Sequence, residues 1–415
     1  MLFRVLRSQT KSLMSDLERL IVITGAFRFP EGDAAAARVL GLGKALRKNN
    51  YEVQFAGWEE GGRLGDKGNE GGFVYQGFRY FPQNQFRTQP LNPIFRLAKY
   101  LLMGVGVVRW LWRYLRGRKI QAIISYHGGV IYLLLLRLFC WHKKVKLAID
   151  CTEWYEASSL PGGRWGVAAI DSELRMRFVN PWIGQVIAIS RYLDEYYKAR
   201  NCRVIRLPPM VDLGDRKWMA EKTTAPQGLR LAYAGVPGKK DVLYSVMLCL
   251  DVLRAEGHLV SLDLIGPSEA EIFACVDGDD DLIDRLRKCL IFHGRIPQSQ
   301  VPSILKQADF SILFRPQRRS SDAGFSTKLV ESLAVGVPVI ANPTGDIGAY
   351  VRDGREGIIV ADERFDPVLA GLRRAIALTP GQLADMSNAA EECARHNFHY
   401  EVHCADLKKF MESCE

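Results

Sequence analysis

The sequence predicts an α/β protein with two parallel sheets, each covered by helices on both faces. Apolar, β-branched runs alternate with amphipathic stretches of helical period along most of the chain. The strand-like runs are apolar throughout, which is typical of strands buried on both faces of a parallel sheet. A connection with prolines and glycine at residues 208–228 separates two such series of strands and helices. These three observations together predict two Rossmann-like domains.

The order of the elements predicts four segments. Residues 1–18 are basic and lack the apolar core and cleavage site of a signal peptide, so we interpret them as an N-terminal extension. The first domain is predicted over 19–207, with strands at 19–24, 51–56, 122–126, 145–150 and 185–189. The second domain is predicted over 208–385, with strands at 229–234, 261–265, 290–292, 310–314, 337–341 and 357–360. A polar helical segment, 386–415, ends the chain.

Composition limits the classes of function. A chain of 415 residues with 48% hydrophobic and 25% charged residues suits a globular protein of two domains. No run approaches the roughly 18 to 20 apolar residues of a membrane span. The nine cysteines form no C-x-x-C pair, which predicts reduced thiols in a cytosolic protein. The net charge of +10 favours an anionic partner, but no nucleic-acid-binding motif is present, so we expect no nucleic acid.

Positive charge is concentrated in residues 91–119, which contain seven Lys or Arg and no carboxylate. Arg109, Arg113 and Arg116 recur on one helical face, and tryptophans and aliphatic residues lie between them. A basic amphipathic helix of this kind predicts peripheral binding to an anionic membrane surface. The alternative is a core helix with a solvated basic face. The apolar stretch that follows, residues 130–141, is predicted to be a buried helix.

Residues 324–341 carry the most specific signal, a loop followed by a helix start, a Gly-x-Pro stop and a β-branched strand. Ser326 or Thr327 is a good N-cap, and the N–H groups of the first turn form an anion site. Lys328 and Glu331 are three residues apart and share one helical face. This pattern suits a nucleotide sugar, with the diphosphate at the helix start and the ribose hydroxyls on Glu331. The alternative is an ordinary surface Lys–Glu pair.

This stretch resembles the donor-site motif of the retaining glycosyltransferases with the GT-B fold, specifically glycosyltransferase family 4 (glycosyl transferases group 1). Glu331 matches the second Glu of the family motif, whereas Ala323 occupies the position of the first. A subgroup has Phe-x-Thr-Lys-x-x-Glu without the first carboxylate, and this chain is similar to it. Weaker signals occur in the family's order along nearly the whole chain after Leu20, including Ser190-Arg191-Tyr192 and His293-Gly294-Arg295.

The resemblance implies two Rossmann-like domains that face each other across a cleft, with a C-terminal helix that crosses back to the first domain. The first domain would be the acceptor side, and the second would bind the nucleotide sugar as a substrate. The resemblance implies no cofactor and no metal, because GT-B enzymes typically need no bound divalent ion. The acidic run at residues 277–281 is accordingly interpreted as a solvated loop.

Negative charge builds on the leaving phosphate during glycosyl transfer, so cations and backbone amides are needed at the diphosphate. The loop after the strand at 229–234 contains Gly235, Lys239 and Lys240. Family members usually have an Arg or Lys pair here, and Lys240 best matches its second member. Ser326, Thr327 and Lys328 would belong to the same cradle. The alternative for the loop is a solvated lysine pair on a Gly-Pro turn.

Candidate residues in the first domain also follow strands. Gly32 allows backbone N–H groups of the first loop to approach the donor, or it marks a simple helix entry. His127 matches a His that contacts the donor sugar in family members, or it has a structural role. Glu153 or Asp150 would receive the acceptor proton, with Trp154 as a stacking face. No protein nucleophile is assigned, because the leaving phosphate itself is expected to help deprotonate the acceptor.

The function that the resemblance implies is retaining transfer of a sugar from a UDP- or GDP-sugar to a glycan or lipid-linked acceptor. It would operate at the cytoplasmic face of the cell membrane, in polysaccharide or glycoconjugate biosynthesis. One alternative is a sugar-nucleotide epimerase of the same fold. The other is a non-catalytic scaffold, which the absent Glu at Ala323 would favour. The sequence specifies neither the sugar nor the oligomeric state.

Overall fold

The computed structural model of the chain describes residues 19–58, 66–67, 72–83, 92–116, 118–223, 228–235, 237, 242–275 and 279–412. Its contacts form two compact units, Met1–Met210 with Tyr400–Glu415, and Val211–His399. Each unit has its own sheet and its own apolar core.

The sheet of the first unit has nine strands in the described residues, in the order β3-β4-β5-β2-β1-β6-β7-β8-β9. The strands are β1 (Leu20–Gly25), β2 (Glu52–Gly57), β3 (Asp66–Lys67), β4 (Phe73–Tyr75), β5 (Phe78–Tyr80), β6 (Ile120–Tyr126), β7 (Lys146–Cys151), β8 (Gln185–Ala188) and β9 (Arg203–Arg206). Strands β2, β1, β6, β7, β8 and β9 are parallel, and β1 lies centrally with Ile23 paired to Phe55 and Ile124. The predicted parallel sheet is therefore confirmed for the apolar strands.

One edge of this sheet differs from the prediction. Strand β4 pairs antiparallel with both β3 and β5, while β5 pairs parallel with β2. These three strands have two or three residues each, which is too short to show a periodic pattern in the sequence. The parallel sheet thus ends in a small antiparallel extension.

The helices of the first unit are α1 (Ala34–Lys48), α2 (Pro93–Leu101), α3 (Val105–Tyr114), α4 (Val130–Lys143), α5 (Val167–Leu174), a π-helical turn (Arg175–Val179), α6 (Asn180–Ile183), α7 (Arg191–Lys198) and α17 (Cys404–Glu412). Asp33 caps α1, and its carboxylate accepts the Ala36 N–H at 2.9 Å. Helix α17 places Leu407, Phe410 and Met411 in the core of this unit. The end of the predicted terminal segment therefore returns to the first unit.

The basic segment forms two helices, α2 and α3, rather than one. Gly104 separates them with a φ of +90°, and a Cβ at this position would lie 2.7 Å from the Tyr132 ring and 2.9 Å from Trp58. Only glycine fits both the backbone conformation and this close approach. Leu91 and the side chain of Arg96 lie outside the described residues.

The sheet of the second unit has six strands in the described residues, all parallel, in the order β12-β11-β10-β13-β14-β15. The strands are β10 (Leu229–Ala234), β11 (Val260–Ile265), β12 (Leu290–Gly294), β13 (Phe310–Leu313), β14 (Val339–Ala341) and β15 (Gly357–Ile359). The helices are α8 (Tyr244–Ala255), α9 (Glu269–Cys275), α10 (Asp280–Leu286), α11 (Val301–Leu305), α12 (Arg319–Ala323), α13 (Thr327–Ala334), α14 (Ile347–Tyr350), α15 (Phe365–Ile376) and α16 (Pro380–Asn397). All six predicted strands are confirmed.

Helices cover both faces of the second sheet. Residues of α8 and α15 pack in one core, and residues of α13 and α16 pack in another. Thr379 is the N-cap of helix α16 and forms a complete capping box, in which the Thr379 and Gln382 side chains each accept the other residue's backbone N–H. Because α16 packs in this unit, only the residues after His399 return to the first one.

Candidate active site

Two glycines follow strands at the carboxyl edge of the second sheet. Gly235 follows β10 with a φ of +136°, and Gly266 follows β11 with a φ of +114°. The Gly235 N–H donates to Ile265 O at 2.8 Å, and a Cβ on Gly266 would lie 3.0 Å from Gly235 O. The backbone of the two loops therefore approaches more closely than side chains would allow.

Lys328 lies directly over Gly235. Its Cε would be 2.6 Å from a Cβ at position 235. The Lys328 ammonium donates to the Tyr233 hydroxyl at 2.9 Å and lies 4.2 Å from the centroid of the Tyr233 ring. Two predicted site residues, Gly235 and Lys328, are thus brought together at the end of β10, with a cation fixed by hydrogen bond and cation–π contact.

Ser326 is the N-cap residue of α13, one of the two positions that the sequence predicts, and Thr327 is the first residue of the helix. The Ser326 side chain makes no capping hydrogen bond, although its carbonyl accepts the Leu329 N–H at 3.2 Å. The first-turn N–H groups of a helix point out of its N-terminal end, so they are directed toward the space before Ser326. This geometry suits an anion.

Glu331 lies one turn inside α13 and is partly buried. Burial raises the pKa of its carboxyl group, while Lys217, a hydrogen bond from Gln298 and Lys328 act in the opposite direction. The carboxylate therefore has two cations and an amide around it. The structure thus adds Lys217 and Gln298 to the Lys328–Glu331 pair that the sequence indicates.

Lys217 and Gln298 are site neighbours that the sequence did not single out. Lys217 belongs to a short 3-10 turn, Arg216–Trp218, in the predicted connection between domains. Gln298 follows the His293-Gly294-Arg295 segment, whose His293 is held by the fully buried Asp263 at 2.7 Å. The only feature of the sequence that could have indicated Gln298 as a site residue is its position in the loop after β12.

Ala323 ends helix α12 and is completely buried. The preceding residue, Asp322, carries a carboxylate, and its Oδ1 accepts the Gly345 N–H at 3.0 Å. The position of the missing Glu is thus filled by a small side chain, and the adjacent carboxylate bonds the protein backbone. Lys239 and Lys240 lie outside the described residues.

His127 follows β6 with a φ of +51°, in the left-handed region. Its Nδ1 lies 3.1 Å from Nη1 of Arg175, and its Nε2 contacts the Thr152 hydroxyl. Because a guanidinium group can only donate, Nδ1 must be the acceptor, so Nε2 carries the hydrogen and donates to Thr152. Protein groups therefore engage both ring nitrogens of His127 and fix its tautomer.

Trp154 and Asp150 have structural environments that differ from the prediction. Trp154 is 3% exposed, donates to Glu173 Oε1 at 3.2 Å and packs edge-on against Tyr196. It offers no stacking face. Asp150 is fully buried and bound by Arg38, so it is no acceptor of a substrate proton. Of the predicted acceptor group, Glu153 keeps its candidate role and is partly buried.

Gly32 has a φ of +142° and precedes Asp33, the N-cap of α1. A Cβ there would meet the Arg28 side chain at 3.6 Å, which is an ordinary contact. The backbone conformation, rather than crowding, therefore favours glycine. The structure is consistent with both interpretations of Gly32 that the sequence left open.

The acidic run begins outside the described residues, with Asp277 and Gly278. The Asp279 side chain caps α10 by accepting the Leu282 N–H at 3.0 Å. Among the residues that the structure describes, no group of three or more His, Cys, Asp or Glu side chains could hold a metal ion.

Comparison with known families and structures adds to this geometry. Residues 232–377, which include Lys328 and Glu331, match the family described as "Glycosyl transferases group 1". No curated protein sequence matches the chain at a significant level.

Similar solved structures cover nearly the whole chain. Sucrose-phosphate synthase from Thermosynechococcus elongatus has a TM-score of 0.71 and 13% identity, over 94% of this chain and 98% of that one. HepE of Anabaena in complex with UDP-glucose has a TM-score of 0.60 and 13% identity, over 94% and 99%. WaaG, a glycosyltransferase involved in lipopolysaccharide biosynthesis, has a TM-score of 0.63 and 13% identity, over 95% and 100%. The chain has the GT-B fold, and the family match supports a glycosyltransferase.

Proposed function

We propose that the protein is a retaining glycosyltransferase of family 4 that moves a sugar from a nucleotide diphosphate sugar to a glycan or lipid-linked acceptor. A UDP-sugar is the favoured donor, with a GDP-sugar as the second choice. The observation that carries the proposal is the partly buried Glu331 one turn inside α13, with Lys328 and Gly235 at the end of β10. The complex of HepE with UDP-glucose supports the choice of base.

In the proposed donor complex, the diphosphate lies at the N-terminus of α13. The N–H groups of Thr327 and Lys328 and the Lys328 ammonium face the negative charge, which grows as the glycosidic bond breaks. Lys240 and Lys239 add cations from the preceding loop. Glu331 accepts both ribose hydroxyls and exchanges its contact with Gln298 for them, so burial of the carboxylate makes that recognition stringent.

The sugar transfer itself needs little from protein groups. The acceptor hydroxyl attacks the anomeric carbon on the face that the phosphate leaves, and its proton passes to the departing phosphate oxygen. His127, whose tautomer is fixed, contacts the donor sugar. It takes no part in proton transfer in this step. Glu153 orients the acceptor hydroxyl.

No metal takes part in the proposed reaction, so EDTA is expected to leave activity intact. Loss of activity with EDTA that Mg²⁺ or Mn²⁺ restores would contradict this.

The protein is proposed to act at the cytoplasmic face of the cell membrane, in polysaccharide or glycoconjugate biosynthesis. Arg109, Arg113 and Arg116 are all exposed on α3 and just after it, while Val107, Val108 and Leu111 are buried. This outward basic face supports peripheral binding to anionic lipid. Within the described residues, no helix is both long and apolar enough to cross a bilayer.

The decisive experiment screens the protein against UDP-, GDP- and ADP-sugars, by thermal shift for binding and by release of the nucleoside diphosphate for turnover. A rise in the unfolding temperature with one nucleotide sugar, and slow hydrolysis of that donor, are expected. Binding without turnover in the presence of glycan and lipid-linked acceptors would favour the scaffold alternative that Ala323 suggests. Release of an epimeric sugar nucleotide would instead favour the epimerase.

A further inference from the structure

Large apolar side chains are exposed mainly in one part of the chain. Of the nineteen that the described residues expose, fourteen fall between Phe95 and Trp182. They are Phe95, Leu97, Tyr100, Leu102, Trp112, Leu134, Leu138, Trp141, Trp165, Val167, Ile170, Leu174, Phe178 and Trp182. Exposed apolar residues scattered singly need no explanation, but a concentration of this size marks an interaction surface.

The exposed residues of α4 form a stripe. Leu134, Leu138 and Trp141 are spaced by four and three residues, so they lie on one helical face, and Trp141 is 70% exposed. The opposite face is buried through Tyr132, Leu133, Leu136, Phe139 and Cys140. The helix predicted at 130–141 is confirmed, but its complete burial is wrong because one apolar face is uncovered.

A second stripe runs along α5, the π-helical turn and α6. Val167, Ile170, Leu174, Phe178 and Trp182 follow one another by three or four residues, while Ala169, Met176 and Ile183 are buried on the other side. The π-helical turn is wider than an α-helical turn, which lets residues spaced by four stay on one face. At helical rise the stripe is about 20 Å long.

Side-chain contacts join these stripes to the basic helix α3. The Arg137 guanidinium on α4 lies 5.6 Å from the Trp182 ring, which connects the second stripe to the first. On the other side of α4, Lys143 lies 4.8 Å from the Trp112 ring, and Trp112 packs against Phe139 and His142. The two stripes and helix α3 are therefore neighbours in the first unit, and Arg109, Arg113 and Arg116 are exposed on α3 or just after it.

The charge of this surface identifies its partner. Residues 91–182 contain fourteen Lys or Arg and five Asp or Glu, in a chain with a net charge of +10. Three of those carboxylates have partners within the protein: Asp150 pairs with Arg38 at 2.6 Å, Asp171 accepts the Val130 N–H at 2.9 Å, and Glu173 pairs with Arg177 at 2.5 Å. Apolar and Trp side chains bordered by long basic side chains match the interface of an anionic bilayer, where apolar groups enter the acyl boundary and cations meet phosphate.

We propose that the uncovered faces of α4 and of the α5–α6 run, with their exposed tryptophans, insert into the interface of an anionic lipid bilayer. This surface, defined by Leu134, Leu138, Trp141, Ile170, Leu174, Phe178 and Trp182, is called the apolar face below. The proposal extends the membrane contact of the proposed function beyond residues 91–119. It holds the first unit on the membrane through burial of apolar side chains, while the α3 arginines add an electrostatic attraction.

The test uses the full chain and sedimentation with vesicles of phosphatidylglycerol and phosphatidylcholine, or of phosphatidylcholine alone, at low and high salt. One variant combines Leu138→Gln with Trp141→Gln, and a second combines Phe178→Gln with Trp182→Gln. A matched control combines Leu259→Gln with Val402→Gln, which are exposed apolar residues elsewhere on the chain. A third variant replaces Arg109, Arg113 and Arg116 by Glu. Thermal unfolding checks that each variant folds.

Each apolar-face variant is expected to bind the anionic vesicles at least tenfold more weakly than the wild type, at both salt concentrations, because salt does not screen apolar burial. The control should bind like the wild type. The charge-reversal variant should lose only the part of binding that high salt also removes. Tryptophan emission of the wild type should shift to shorter wavelength on vesicles, and this shift should be smaller without Trp141 or Trp182.

Wild-type affinity in both apolar-face variants would overturn the proposal. So would a wild-type oligomer that the same variants convert to monomer with vesicle binding unchanged, since the face would then join two copies of the chain. Hydrolysis of the donor sugar, measured without vesicles, is expected to be unchanged in these variants. Failure of vesicle binding is therefore distinguishable from failure of the proposed transferase activity.

Discussion

Asp150 in the first unit is fully buried and Glu331 in the second is partly buried, and the partners of the two carboxylates differ. Asp150 accepts three contacts from the Arg38 guanidinium, at 2.6, 2.9 and 3.1 Å, and Arg38 also donates to the carbonyls of Leu207 and Pro208. Glu331 has a single amide, Gln298, and the charges of Lys217 and Lys328. An arginine fork has a fixed geometry, whereas lysine ammonium groups and an amide on flexible stems can turn toward a ligand.

The difference teaches how a structural carboxylate can be distinguished from one suited to a ligand. Asp150 and Arg38 satisfy each other's hydrogen-bonding groups in the core, so this pair has a structural role and is not suited to bind a substrate. Burial raises the pKa of both carboxyl groups, so the partners make the distinction. Among the described residues, Glu331 has no arginine fork, and its carboxylate can accept hydrogen bonds from new donors. Ribose hydroxyls are donors of that kind.

The largest expected effect comes from breaking the Arg38–Asp150 pair. Arg38→Met should lower the free energy of unfolding of the first unit by about 3 to 5 kcal/mol, because it leaves a buried, uncompensated charge. Chemical denaturation followed by circular dichroism measures this change. Arg47→Met, at an exposed bond to Gln76 O, is the matched control and should have a small effect. Equal stability of the two variants would show that Asp150 is not held as described.

Glu331→Ala should abolish transfer while the protein stays folded. Loss of the contact to both ribose hydroxyls should cost about 2 to 4 kcal/mol in donor binding or in the activation free energy. Expressed as a rate, this makes turnover roughly tens to hundreds of times slower. Calorimetry with the preferred nucleotide sugar measures the binding part. Near-normal donor binding by this variant would contradict the proposal that Glu331 binds the ribose hydroxyls. It would also contradict the distinction drawn between Glu331 and Asp150.

Lys240→Ala should lower kcat more than it raises KM for the donor, because negative charge on the diphosphate grows toward the transition state. Steady-state kinetics with varied donor separates the two constants. Lys239→Ala is the matched control and should be milder. If Lys239→Ala is the more damaging change, Lys239 rather than Lys240 faces the diphosphate.

The raised pKa of Glu331 predicts a pH dependence with a defined sign. Protonation removes a strong acceptor, so donor affinity should fall on acidification at a pH above the ordinary pKa of glutamate, and Glu331→Gln should abolish this acid limb. Because the folded protein holds this proton more tightly than the unfolded chain, ionisation of Glu331 costs stability as the pH rises through its pKa. Glu331→Gln should therefore be no less stable than the wild type at neutral pH. Calorimetry and thermal unfolding across the pH range test both statements, and a destabilised Gln variant would contradict them.

Contacts between residues far apart in sequence account for most of the site features that the sequence did not predict. Lys217 and Gln298 reach Glu331 only because a 3-10 turn and the loop after β12 pack beside α13. Trp154 follows a strand, as an exposed acceptor platform would, yet Tyr196 and Glu173 enclose it. No local pattern distinguishes these outcomes, since the neighbours come from other helices.

The sequence by itself determined the two parallel sheets, their order along the chain and the helix that carries Lys328 and Glu331. It could do so because continuous apolar runs can be buried only between two covered faces, and because caps and glycines act within a few residues. Tertiary structure alone decided which side chains surround Glu331, that Asp150 belongs to Arg38, and that α4 keeps one apolar face uncovered. The burial of a side chain and its bonding partners depend on the elements that pack against it. These elements are distant in sequence, so a local sequence pattern does not predict them.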